Sequence, residues 1–163
     1  MKILGVDPGV SRIGYGILET ENNLRFVDCG VIEIASKEQR ERLFELSERF
    51  DRLLSLIKPD AAGIETLFFS KNRKTGLAVA EARGVLMLSL RTAGIPTYEY
   101  KPHEVKLSVC GYGHADKISV AKMVGKTLGI DLPKQLDDAT DALAIAITAA
   151  SNLRFQNKIS AGK

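Results

Sequence analysis

Ile3-Leu4-Gly5-Val6-Asp7-Pro8-Gly9 is the stretch on which the fold turns. Residues 2–6 form a short apolar run with the pattern of a buried strand, and a turn sequence follows at once. A carboxylate placed directly after a buried strand is costly unless a cation meets it. In open α/β sheets ligands gather beyond the carboxyl ends of the strands, which is where Asp7 stands.

Working outward, Ile13–Glu19 and Leu24–Ile34 are β-rich runs joined by the polar Glu21-Asn22-Asn23, a hairpin turn. Three antiparallel strands therefore open the chain. Ser36 with Gln39 resembles a capping box, and Leu43, Leu46, Phe50, Leu53, Leu54 and Ile57 recur at helical spacing up to Lys58-Pro59. Ala61–Glu65 is long enough only for a buried strand. Gly76–Thr92 is expected as a second helix, apolar around most of its circumference and so covered on more than one side. Pro96–Tyr100 is a fifth strand, Gly111-Tyr112-Gly113 a flexible loop, Ile118–Leu128 a third helix and Asp137–Leu153 a fourth. Strand–helix–strand units after an antiparallel meander give an α/β class with a mixed sheet, its crossovers right-handed. We expect one domain over 1–153 and a flexible polar tail over 154–163.

Composition narrows the function classes. The chain has 163 residues, 45% hydrophobic and 26% charged, which fits neither disorder, collagen nor coiled coil. Its longest apolar stretch, Ala142–Ala150, is far below the roughly 20 residues of a membrane span, and the N-terminus is too soon acidic for a signal peptide. Cys29 and Cys110 stand in no metal-ligand spacing, so a cytoplasmic setting is expected. The net charge of +3 is unevenly spread: residues 66–126 carry 10 Lys and Arg against 4 Asp and Glu. Such an excess suits a face that meets a polyanion, and equally suits ordinary surface lysine.

Four carboxylates hold telling positions. Asp7 ends the first strand, Glu65 ends the fourth, and Asp138 and Asp141 lie three apart on one face at the start of the last helix. If strands 1 and 4 are neighbours, all four can converge. Hard divalent cations resolve such repulsion, and two ions about 4 Å apart support phosphodiester hydrolysis. Each acid alone also has a structural reading: Asp7 in a turn, Asp137 or Asp138 as a helix cap, Glu65 in an exposed loop.

These residues together resemble the RuvC-type Holliday-junction resolvases, a branch of the RNase H-like nucleases. Ile3–Gly9 with Gly14-Tyr15-Gly16 is similar to the family's first hairpin, and Glu65, Phe68 and Lys71-Asn72 to its second motif. Ala82-Arg83-Gly84 resembles part of its long helix. Val105-Lys106 with Gly111–Lys117 resembles a basic loop region, and Asp138-Ala139-Thr140-Asp141 the closing helix. The resemblance covers Met1 to about Leu153.

It implies an RNase H-like five-stranded sheet covered by helices on both faces, and a structure-selective endonuclease acting in DNA recombination and repair. Asp7, Glu65, Asp138 and Asp141 fall on catalytic metal-binding positions for Mg²⁺ or Mn²⁺, two ions during catalysis. Lys106 and Lys117 fall on DNA-contacting positions, and Phe68 on an aromatic position that stacks on unpaired bases. The expected products of paired symmetric nicks are 5′-phosphate and 3′-hydroxyl ends. The expected partners are a four-way DNA junction, a second copy of the chain and the branch-migration proteins RuvA and RuvB. The Gly76–Thr92 helix is the expected dimer interface. Alternatives are an RNase H-like or RuvC-like nuclease acting on RNA, and a non-catalytic junction-binding module. A sugar-kinase-like ATPase needs a second domain, for which the chain is too short.

Overall fold

The computed structural model describes residues 1–21, 23–67, 73–131 and 137–161, with side chains described at those positions except 73–75 and 157–161. Five strands form one sheet in the order β3-β2-β1-β4-β5, with β1 Lys2–Asp7, β2 Arg12–Thr20, β3 Leu24–Glu33, β4 Ala61–Glu65 and β5 Thr97–Tyr100. β1, β2 and β3 are antiparallel neighbours, and β1–β4 and β4–β5 are parallel. The expected adjacency of strands 1 and 4 is therefore observed.

Strand alternation divides the core into two layers. Leu4, Val6, Ile13, Ile17, Ala62 and Ile64 face α1 (Gln39–Ile57) and α2 (Arg73–Thr92), where Phe50, Leu54, Leu86 and Leu90 bury against them. Ile3, Leu18 and Ala61 face α3 (Pro102–Cys110), α4 (Lys117–Leu128) and α5 (Asp137–Ala161). Helices thus cover both faces, as expected. Among the described residues, no helix is long and apolar enough to cross a membrane.

α5 lies close against the sheet because the strands carry glycines at the points where its backbone crosses them. A Cβ on Gly5 would stand 2.0 Å from the carbonyl oxygen of Ala142, and one on Gly16 2.9 Å from Cα of Leu143. Alanines on the helix complete the fit: Ala139, Ala142 and Ala146 are fully buried. The alternating Gly5, Gly14, Gly16 pattern is thus a track for a helix backbone.

Three expectations need correction. The α1 cap is Glu38, whose carboxylate accepts from the Glu41 amide at 3.0 Å. Ser36 instead donates through its amide and hydroxyl to Glu45, at 3.0 and 2.7 Å. The region around Lys106, expected as loop, is the helix α3. Pro102 opens it, Glu104 accepts from the Lys101 amide at 2.7 Å, and Gly111 closes it at φ 71°. α5 continues to Ala161, eight residues beyond the expected end, so helix replaces the expected tail over 154–161. As expected, α2 is covered on more than one side, by the sheet and by α1, while Leu77 and Leu88 remain 61% and 67% exposed.

Candidate active site at the carboxyl edge of the sheet

β1 and β4 run in parallel register, Gly5 beside Gly63 and Val6 beside Ile64, so Asp7 and Glu65 come next on adjacent strands. Alternation sends both side chains to the same face as Gly5 and Gly63, the face covered by α5. The first turns of α5 carry Asp138 and Asp141 to that edge. Gly14 admits this approach, because a Cβ there would stand 2.0 Å from the carbonyl oxygen of Asp138. The backbone of Glu65 is fixed from two sides: Arg83 Nε donates to its carbonyl at 3.1 Å, and the Thr66 amide donates to the Tyr100 carbonyl at 2.8 Å.

The electrostatics record the convergence. Burial pushes the Asp7 carboxyl up to about 8, and the charges of Asp141, Glu65 and Asp138 push in the same direction against Lys117. Burial and then Asp141 raise Glu65 to about 7, opposed by Lys106 and Lys117. Asp141 is raised as well, by burial first, with Lys117 pulling it down. Acids that hold one another's protons in this way form a site with affinity for positive charge.

Cations already stand at its rim. Lys117, in the first turn of α4 beside its cap Asp116, places Nζ 3.2 Å from Oδ2 of Asp141. Lys106 lines a cleft of about 220 Å³ together with Glu65, Lys117 and Asp141, floored by Val105 and Ile145. On the other side Arg12, which sequence reasoning passed over, donates from Nε to Oδ2 of Asp138 at 2.8 Å. Its only sequence signal is the cross-strand pairing of Arg12 with Glu33, invisible until β2 and β3 are in register. Phe68 lies outside the described residues. Tyr112 and His114 form a tilted ring pair at 5.7 Å in the α3–α4 loop. Cys29 and Cys110 are free thiols.

The donor set is all carboxylate oxygen, the chemistry that suits Mg²⁺ or Mn²⁺. Among the described residues, no three of the His, Cys, Asp and Glu side chains stand close enough to enclose an ion as placed. Asp138 and Asp141 are instead engaged with Arg12 and Lys117.

Over residues 3–149 the sequence matches the model of the family described as Crossover junction endodeoxyribonuclease RuvC. The chain belongs to the RuvC family. A curated relative of that name from Chloroflexus aggregans is 47% identical over 152 residues, covering 92% of this chain and 93% of its own. Another, from Thermosipho melanesiensis, is 45% identical over 157 residues, covering 95% of this chain and 100% of its own. The solved structure of Thermus thermophilus RuvC in complex with Holliday junction substrate superposes with a TM-score of 0.88 at 31% identity, covering 96% of each chain. The RNase H-like architecture that the family resemblance implies is thus shared with a RuvC of known structure.

Proposed function

We propose that this RuvC-family chain resolves Holliday junctions as a divalent-metal-dependent endonuclease, with Asp7, Glu65, Asp138 and Asp141 as its catalytic acids. The observation that carries the reading is the meeting of Asp7 and Glu65, on adjacent parallel strands, with the first turns of α5. Burial and mutual repulsion there hold two carboxyls at about 8 and about 7. A purely capping or turn role for these acids would not bring them together from three separate elements.

The site divides its labour by position. Asp7 and Glu65, on the rigid sheet edge, would hold the cations, and Asp138 and Asp141 would close the set from α5. Two such ions, when bound, activate a water and stabilise the leaving oxygen of an in-line displacement at phosphorus. The chain's own cations serve the substrate. Lys117 and Lys106, at the mouth of the cleft, are placed to take phosphate oxygens and to stabilise charge as the bond breaks. Phe68, three residues beyond Glu65 in sequence, is proposed to stack on an unpaired base at the junction centre, an interaction worth about 1–3 kcal/mol. The products would carry 5′-phosphate and 3′-hydroxyl ends.

Resolution of a near-symmetric junction takes two matched nicks, which a C₂ homodimer supplies with one site per subunit. We propose α2 as its interface. Leu77 and Leu88 lie exposed on that helix, and Leu88 borders a groove of about 510 Å³ between α1 and α2. One nuclease domain over 1–153, a cytoplasmic location and work alongside RuvA and RuvB complete the proposal.

The test is Glu65→Gln, assayed for binding and cutting separately. With Ca²⁺ present, the variant should bind a synthetic four-way junction within a fewfold of the parent. With Mg²⁺ it should cut at least a thousandfold more slowly. Cutting at the parental rate would remove Glu65 from the site.

A further inference from the structure

Asp138 differs from the other acids in how it is held. Asp7 and Glu65 are fixed by the sheet edge and by burial, and Asp141 lies against Lys117 and the cleft. Asp138 sits in the first turn of α5 with its side chain 33% exposed, as open as that of Asp141 at 35%, but it is met by a guanidinium where Asp141 meets an ammonium. A carboxylate there has several rotamers open to it. One guanidinium removes that freedom. Arg12 Nε donates to Asp138 Oδ2 at 2.8 Å, while Nη1 of the same fork lies 3.1 Å from Glu33 Oε1. Glu33 is the cross-strand partner of Arg12, so the far end of the fork is anchored on β3.

We propose that Arg12 is a positioning residue for Asp138: braced by Glu33, it occupies Oδ2 and so presents the other carboxylate oxygen to a divalent cation. This inference rests on reading the four acids as a metal site. The pair contributes little to folding, because both partners are partly exposed and such ion pairs are weak. Its planar two-edged fork, which lysine lacks, joins three elements at fixed angles. Partners that orient a metal-ligating carboxylate typically change metal affinity about 10–100-fold when removed. A bare positive charge beside the site would act oppositely, repelling the cation, so the sign of the effect decides between the two.

The experiment measures Mn²⁺ binding to the full chain without DNA, by electron paramagnetic resonance or calorimetry. Circular dichroism is the check on folding. Arg12→Ala should weaken Mn²⁺ binding about tenfold. Arg12→Lys should restore only part of this, and Glu33→Gln should weaken binding by a smaller factor. In an Asp138→Asn background, Arg12→Ala should add nothing, because its effect passes through that carboxylate. Mn²⁺ binding in Arg12→Ala equal to or tighter than the parent's would overturn the proposal and leave Arg12 as a charge at the rim. So would unchanged Mn²⁺ binding with weaker, less salt-dependent junction binding, which would make Arg12 a phosphate contact. If Asp138→Asn itself leaves Mn²⁺ binding intact, the four-acid site fails at that residue, an outcome distinct from failure of Arg12 alone.

Discussion

Gly14 lies directly beneath Asp138: a Cβ on the glycine would stand 2.0 Å from the aspartate's carbonyl oxygen. The contact is with backbone on both sides, so no side-chain rotation relieves it. Gly14→Ala must therefore lift the first turn of α5, and with it an acid of the site. Overpacking of this kind costs about 1–3 kcal/mol. The expected result is a folded protein with a lower Tm and a loss of junction cutting out of proportion to the loss of stability. Full activity in Gly14→Ala would show that the approach of α5 does not set the site.

Asp7 and Glu65 bind protons more tightly in the folded chain, at about 8 and about 7, than at their ordinary values of 3.8 and 4.5. The stability linked to those protons is complete below about pH 4 and is lost as pH rises toward the folded values. In chelator, Tm should fall between pH 5 and pH 8 and level off above. Asp7→Asn should flatten most of that fall and be more stable than the parent at pH 8, by on the order of a few kcal/mol. A Tm independent of pH over this range in the parent chain would contradict the burial of Asp7.

The same protons compete with metal. Binding a cation to Asp7 and Glu65 releases them, so the Mg²⁺ concentration giving half-maximal cutting should fall as pH rises from 6.5 to 8.5, by up to about tenfold per unit for each proton released. A titration of cutting rate against Mg²⁺ at several pH values checks this. No change would mean that neither acid is protonated before metal binds.

Lys117 and Lys106 should separate by phenotype. Lys117 touches Asp141, and its removal should slow cutting about a hundredfold with little change in junction affinity, the pattern of a group that stabilises developing charge. Lys106→Ala should weaken junction binding and lower the slope of affinity against salt by about one. An unaltered slope would make Lys106 a solvated surface charge.

At the proposed dimer face, Leu88→Glu should leave the fold intact while shifting the chain to monomer in sedimentation. Paired nicking should then become isolated single nicks. A dimer that persists in Leu88→Glu would move the interface off α2.

How much of this could be read from residues alone follows from where the information lies. The strand periodicities are local, so all five strands were visible, and Asp7 and Glu65 stood out as charges at the ends of apolar runs. Asp138 and Asp141 were visible by their helical spacing. Their convergence with Asp7 is expected only on the condition that strands 1 and 4 are neighbours; how close they come is not legible, because it depends on glycines of β1 and β2 matching alanines of α5 across the sheet. α3 was missed even though Pro102, Glu104 and Gly111 mark its ends, since its nine residues include no clear apolar stripe. The misplaced α1 cap has a tertiary cause: Ser36 is engaged by Glu45, leaving the cap to Glu38. Arg12 was unreadable for the same reason, its partners lying 21 and 126 residues away.

The most direct test of the central claim is one cleavage assay in Mg²⁺ on a four-way junction, a linear duplex and an RNA–DNA hybrid, with Asp7→Asn beside the parent chain. The account predicts paired, symmetric nicks in the junction alone, with 5′-phosphate ends, and none from Asp7→Asn despite retained binding. Cutting by Asp7→Asn at the parental rate, or preferential cutting of the hybrid, would contradict it.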